Sequence, residues 1–212
     1  MNEWTSVERA LEYLSRADSI PHRAEGEAVL IEQLPERVDL VLDLGTGDGR
    51  LLALVKLVRP EVSGVALDFS PTMLEKARER FAGDGSVRVV EHDLRDKLPD
   101  LGRFDAVISS IAIHHLEDGR KRELYGEVFD QLEPGGAFLN LDRVASPTPA
   151  LRRRFLRAMG RDPTFEDPSD RPFDMQMQLL WLREIGFSDV DCYWKWLELA
   201  LLGGVKPSQV SP

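Results

Sequence analysis

The spacing of hydrophobic positions changes period at regular intervals along the chain. Val38 to Leu44 is a short apolar run broken only by Asp39 and Asp43, the pattern of a strand buried on both faces. Past Gly45-Thr46-Gly47-Asp48-Gly49, Leu51, Leu52, Leu54, Val55 and Val58 recur at helical spacing. The alternation then repeats. Val62 to Leu67 predicts a second strand ending at Asp68, and Ser70-Pro71 opens a helix to about Ala82 with Met73, Leu74, Ala77 and Phe81 on its apolar stripe. Serine is a favoured N-cap and proline a favoured first helical residue. Ser86 to Glu91, Phe104 to Ser110 and Ala137 to Leu141 predict three further strands. Between them lie a polar connection at 94–103, a loop at 111–118 holding His114 and His115, a helix over 119–132 and a turn at Pro134-Gly135-Gly136.

The two ends read differently. Residues 3–16 and 22–34 predict two helices, the second with Ala24, Ala28, Ile31 and Leu34 as packing positions and Pro35 as its stop. From 143 to 176 the alternation ceases; Pro147, Pro149, Pro163, Pro168 and Pro172 punctuate an acidic segment around one helix near 149–159. A helix at 174–185 follows. Two strands within Ser188 to Leu202 then reverse direction near Trp196 to Glu198, and Gly203-Gly204 suggests a bulge or bend. The whole predicts an α/β fold: a doubly wound, seven-stranded, mostly parallel sheet with an antiparallel last strand and helices on both faces. A helical cover (1–37) precedes the main domain (38–212), which carries a lid-like insertion at 143–176. In such sheets ligands bind outside the carboxyl ends of the strands.

Composition narrows the partners. Of 212 residues 42% are hydrophobic, which supports a sizeable core. The chain holds 27 basic and 37 acidic residues, a net charge of −10. No basic field is available to gather phosphates, which argues against nucleic acid. The one basic cluster, Arg152, Arg153, Arg154 and Arg157, reads as a solvated helix face. The single Cys192 permits no intrachain disulfide and no zinc spacing, so no metal is expected; a buried, inert thiol is. With no leader-like segment and no apolar run of membrane length, a soluble, cytoplasmic protein is expected.

The glycine loop carries the first chemistry. Three glycines in five residues let the backbone turn sharply and let a ligand touch it, with helix N-terminal amides facing that ligand. The pattern is Gly-x-Gly-x-Gly, because Arg50 stands where a dinucleotide loop has its third glycine. Asp48 adds a carboxylate where a pyrophosphate would lie. A cationic or zwitterionic ligand suits this loop better.

The strand ends, taken together, resemble the class I S-adenosylmethionine-dependent methyltransferases. Leu42-Asp43-Leu44-Gly45-Thr46-Gly47-Asp48-Gly49 looks like the family's first motif, Asp68-Phe69-Ser70 like its second, His92-Asp93-Leu94 like its third. Phe104 to Ser110 with His114-His115-Leu116 looks like the fourth, and Leu132 to Gly136 like the turn before the fifth strand. The resemblance covers about residues 38–142 and more loosely the tail to 206. It implies S-adenosylmethionine as cofactor, S-adenosylhomocysteine as product, and a small-molecule acceptor. It further implies that Gly45, Thr46 and Gly47 meet the methionine moiety, while Asp43 fixes the loop or reaches the amino group through water. Asp68 would accept the ribose hydroxyls, with Ser70 beside it. Phe69 and Met73 would flank ribose and adenine or serve as core. Asp93 and the Leu94 amide would read adenine, and Ser109 and Ser110 would sit near the sulfonium. His115, and less directly His114, are the candidate bases, expected to titrate near working pH; packing against the cofactor is the other role open to them. His22-Arg23 is a candidate for the cofactor carboxylate. The fourth motif lacks the Asp/Asn-Pro-Pro-Tyr/Phe pattern of many base-methylating enzymes, and no cysteine is placed as in cytosine C5 enzymes. A tRNA methyltransferase, a cofactor-binding protein without turnover and a nicotinamide oxidoreductase are the alternatives.

Overall fold

The computed structural model describes residues 20–208; the helix expected at 3–16 lies outside them. A seven-stranded sheet runs in the order β3-β2-β1-β4-β5-β7-β6. Its strands are β1 (Leu40–Leu44), β2 (Ser63–Asp68), β3 (Val87–Glu91), β4 (Phe104–Ser110), β5 (Leu132–Arg143), β6 (Ser188–Trp196) and β7 (Leu199–Val205). The first five are parallel, and β7 runs antiparallel to both neighbours. The helices are α1 (Arg23–Glu32), α2 (Arg50–Val58), α3 (Pro71–Arg80), α4 (Asp118–Gln131), α5 (Pro149–Ala158) and α6 (Met175–Ile185).

Both faces of the sheet are dry. Leu42, Leu44, Val65, Leu67, Val107 and Phe138 face one core with Leu124, Tyr125 and Leu182. Their strand neighbours Val41, Ala66, Ala106, Ile108 and Leu139 face another with Leu30, Leu51, Leu52 and Val55. The period of two is therefore hidden in the sequence as continuous apolar runs. Strand order reverses between β1 and β4, and ligand crevices open at such switch points.

Four local expectations change. First, α1 packs over β5, β6 and β7, but its buried face is Arg23, Gly26, Glu27 and Leu30; Ala24 and Ala28 are exposed. An ion pair between Arg23 and Glu27 (2.7 Å) lets that polar face go inside, and Gly26 admits the side chains of Leu141 and Trp194. Second, residues 134–136 continue β5, because Gly135 N–H donates to the Lys206 carbonyl and Lys206 N–H to that of Gly136 (both 2.8 Å). Third, Gly203 and Gly204 lie in regular pairing on β7; the irregularities fall on the partner strand β6. A Cβ on Gly203 would stand 2.6 Å from the Phe138 carbonyl oxygen, so close approach of strands explains that glycine. Fourth, Cys192 is only half-buried, and its thiol donates to the Trp194 carbonyl at 3.3 Å.

Candidate active site

The glycine loop leaves β1 beside the end of β2. Gly45, Gly47 and Gly49 have φ of 65°, 57° and 83°, conformations natural to glycine. A Cβ on Gly45 would overlap that of Ala112. The loop is tied down on three sides. Thr46 N–H donates to the Leu67 carbonyl (2.9 Å), its hydroxyl to Asp43 (2.6 Å), and Gly47 N–H to Asp68 (2.9 Å). Asp68 also accepts from Ser70 N–H at 2.9 Å. Ser70 thus occupies the N-cap of α3 without capping it; its hydroxyl makes no side-chain cap bond.

These tied groups frame a cavity of about 540 Å³ at the carboxyl ends of the strands. The ends of β1, β2 and β3 and the stretches after them contribute Gly45, Thr46, Gly47, Asp48, Asp68, Phe69, Ser70, Met73, His92, Asp93, Leu94 and Arg95 to its lining. The stretch from the end of β4 contributes Ser110, Ile111, Ala112, His115, Leu116 and Glu117, with Pro168, Ser169 and Arg171 from the 143–176 segment. Arg23 of α1 and Arg120 of α4 also line it. Two polar atoms buried against this cavity, Ser70 Oγ and His92 Nε2, have no hydrogen-bond partner in the protein. Buried polar groups are otherwise almost always satisfied, so a hydrogen-bonding ligand suits this wall.

Of the residues singled out from sequence, Asp43, Ser109 and His114 do not line the cavity. Asp43 lies beneath the loop, 1% exposed. Burial pushes its carboxyl up to about 7, only partly offset by the Thr46 hydroxyl; the charges of Asp68 and Glu27 push the same way. Ser109 is buried and donates to the Leu44 carbonyl at 2.8 Å, bracing β4 against β1. Burial also raises Asp68 above the usual carboxylate range, against the Ser70 and Gly47 amides. Asp93 moves the other way: burial is outweighed by the Arg95 side chain and amide, which hold it low.

The two histidines have separate roles. A 3₁₀ turn at Ile113–His115 places their rings 3.9 Å apart. His114 is buried, with Nδ1 2.5 Å from Asp142 and Nε2 3.2 Å from Asp170. Both partners are carboxylates, so the doubly protonated ring satisfies both. Burial disfavours that charge, but Asp142 and then Asp170 outweigh it and raise the pKa. His115 Nδ1 lies 2.9 Å from the Ser169 carbonyl. A carbonyl only accepts, so Nδ1 carries the proton and Nε2 is the basic nitrogen. Burial and the His114 charge lower its pKa to about 4. The two rings are therefore driven apart, His114 upward and His115 down to about 4, so His115 does not titrate near working pH as the sequence led one to expect. His114, His115 and Asp170 also offer three metal-ligand atoms within 4.8 Å of one another, a set that the His114 ion pairs already satisfy.

Residues 41–136 match the family model described as a methyltransferase domain. An uncharacterised methyltransferase of Mycobacterium tuberculosis is 36% identical over 127 residues, 59% of this chain and 60% of that protein. The fold of an O-methyltransferase family protein from Burkholderia thailandensis superposes with a TM-score of 0.76 at 24% identity, over 97% of this chain and 62% of that one.

Over its central part the chain is similar to the class I S-adenosylmethionine-dependent methyltransferases, and it shares their fold.

A demethylmenaquinone methyltransferase of Thermus thermophilus is also similar, 34% identical over 140 residues, which span 65% of this chain and 61% of that protein. The chain thus spans roughly three fifths of the length of these curated relatives. Around the cavity, three features escape the sequence pattern. Glu27 is buried beside the cavity, binding Arg23, Arg50 (3.2 Å) and the Ser110 hydroxyl (3.3 Å). Asp142, noted only as a strand end, orients His114. Pro168, Ser169 and Arg171 arrive from a segment without hydrophobic period. His22 turns away from the cavity, onto Glu25 and the Trp196 ring.

Proposed function

We propose that this chain transfers the methyl group of S-adenosylmethionine to a small-molecule acceptor within the one cavity. The observation that carries the reading is the make-up of that cavity's lining. The glycine loop, Asp68 and Asp93 reach it from the ends of β1, β2 and β3, and Ser110, His115 and the 168–171 strip from the end of β4 and beyond it. Bound S-adenosylmethionine supplies a methyl group already activated on a sulfonium. In this reading the protein's task is placement. Asp68 accepts from Gly47 N–H and Ser70 N–H and keeps capacity for the ribose. Asp93 and the Leu94 amide face adenine, and Ser70 and His92 offer further polar contacts. Gly45 and Gly47 lie against the methionine moiety. Arg23, buried and backed by Glu27, is placed for its carboxylate. His115 presents Nε2 to the acceptor and, neutral throughout the working range, accepts a hydrogen bond from its hydroxyl or acidic carbon. Alignment of acceptor and methyl supplies roughly 7–11 kcal/mol of the barrier.

Net charge of −10 disfavours an RNA acceptor. Among the described residues no helix is long and apolar enough to cross a membrane. Isothermal titration with S-adenosylmethionine, S-adenosylhomocysteine and NAD is the test, followed by methyl transfer to a panel of hydroxylated small molecules. Binding of the first two and not NAD, with methylated product, is the expected result. Binding with no product from any acceptor favours a protein without turnover. NAD binding in their place refutes the reading.

A further inference from the structure

The cavity lining carries charge of both signs. The carboxylates of Asp48, Asp68 and Asp93 come from the ends of β1, β2 and β3 and the loops after them, and Glu117 from the stretch beyond β4. The same lining holds the cations of Arg23, Arg120 and Arg171, in a protein whose net charge is −10.

These arginines are not equivalent. Arg120 is committed: it donates to the carbonyls of Leu94 and Asp96 and to both oxygens of Glu127, at 2.6–2.8 Å. Arg23 is buried against Glu27. Arg171 differs. Its backbone is clamped on both sides, N–H to the His114 carbonyl at 3.0 Å and C=O to the buried Lys121 ammonium at 2.5 Å. Its neighbour Asp170 is held by Arg143 at 2.5 Å and by His114. The guanidinium itself pairs with Glu117 at 3.2 Å, where the two side chains are 51% and 73% exposed. Ion pairs this open contribute little and exchange readily for another anion. The protein thus spends several buried bonds to fix the base of a side chain whose head is only lightly held. The cavity that Arg171 lines also presents the apolar side chains of Ile111, Ala112, Leu116 and Pro168.

We propose that Arg171 recognises a carboxylate on the methyl acceptor, whose apolar body lies against Ile111, Ala112, Leu116 and Pro168. The acceptor class is a small, largely hydrophobic acid bearing a separate methylatable group. The planar guanidinium forks onto a carboxylate through two parallel N–H donors, which fixes the orientation of the acid toward His115. This inference rests on the methyltransferase reading of the cavity.

The test titrates protein loaded with S-adenosylhomocysteine against matched pairs: 4-hydroxybenzoate with 4-hydroxybenzamide, and phenylacetate with phenylacetamide. Acids of each pair should bind about tenfold to a hundredfold more tightly than their amides. Arg171→Gln should abolish that preference and Arg171→Lys restore part of it, while affinity for S-adenosylhomocysteine stays unchanged in both. The same acid-to-amide ratio should appear in methyl transfer to the hydroxylated pair. If S-adenosylhomocysteine binds but neither acid is preferred, or if Arg171→Gln keeps the preference, the proposal is overturned and the methyltransferase reading stands. Failure of S-adenosylhomocysteine to bind overturns both.

Discussion

Replacing Asp68 by alanine tests the cofactor reading of the cavity most directly. The carboxylate is 8% exposed and holds two backbone amides, Gly47 N–H and Ser70 N–H, both at 2.9 Å. An ionised carboxylate accepts about four hydrogen bonds, so capacity remains for the cofactor ribose. Each charge-assisted bond contributes roughly 1.5–3 kcal/mol. Losing the equivalent of one of them in binding weakens affinity by about tenfold to a hundredfold, at 1.4 kcal/mol per factor of ten. Alanine also orphans the two amides, and an unsatisfied buried donor costs about 1–3 kcal/mol. Gly47 N–H faces the cavity and gains water; Ser70 N–H does not, so a measurable loss of stability accompanies the loss of affinity. Asp68→Asn separates the two effects, since the amide oxygen accepts from only one of the two N–H groups while keeping the side-chain shape. Isothermal titration with S-adenosylhomocysteine gives the affinity, and urea unfolding gives the stability. Because burial raises the pKa of Asp68, wild-type affinity should weaken as pH falls through that raised value, and the alanine variant should show no such step. Affinity within threefold of wild type in both variants would refute the ribose assignment.

Gly45→Ala should destabilise the fold by about 2 kcal/mol or more, since a left-handed L-residue costs roughly 1–2 kcal/mol and its Cβ overlaps Ala112; thermal unfolding reads this. Asp170→Asn should loosen the 143–176 segment, seen as faster amide exchange over 163–174 with β1 and β4 unchanged. His114, raised above 6.5 in the folded state, adds stability that is complete below pH 6.5 and fades as pH rises through the folded value; the Asp170→Asn deficit in urea unfolding should therefore be largest on the acid side of 6.5 and narrow above it. His115→Ala should lower turnover while leaving S-adenosylhomocysteine affinity within about twofold. Wild-type turnover should stay level from neutrality down to about pH 5 and fall toward pH 4, where His115 protonates; a fall centred near pH 6.5 would contradict the His114–His115 coupling.

Much of this was legible from the pattern of residues because the central sheet obeys simple rules. Val38 to Leu44, Val62 to Leu67 and Phe104 to Ser110 are buried on both faces, and such strands advertise themselves as apolar runs. The glycine-loop lining of the cavity was legible for a related reason: Gly45, Gly47, Asp68 and Asp93 sit at strand ends, where chain order dictates position. What was hidden depends on contacts distant in sequence. Arg23 and Glu27 are buried although charged, because each neutralises the other across one helical turn; helical periodicity pointed instead to Ala24 and Ala28. Arg171 and Ser169 reach the cavity only because Asp170 finds His114 and Lys121 finds the Arg171 carbonyl. No local signal encodes those meetings. The pKa split of the histidines belongs to the same class, since it needs Asp142 and Asp170 placed on either side of one ring.

The electrostatics beneath the loop give this glycine pattern a physical reason to depart from the dinucleotide type. Asp43 is 1% exposed, with its second oxygen unpartnered in the protein, and burial together with the neighbouring charges of Asp68 and Glu27 lifts it to about 7. Asp48 stands at the loop surface in an ion pair with Arg80. A pyrophosphate seated on such a loop adds negative charge to carboxylates that already repel one another, and the helix N-terminal amides offset only part of it. A ligand with an ammonium and a sulfonium brings charge of the opposite sign to the same place. Arg50 completes the contrast. In the position of a dinucleotide loop's third glycine, it carries a side chain that turns away to Glu27, where it holds the carboxylate that supports Arg23. The residue that breaks the dinucleotide pattern is therefore part of the ion-pair network that holds Arg23 in the cavity wall.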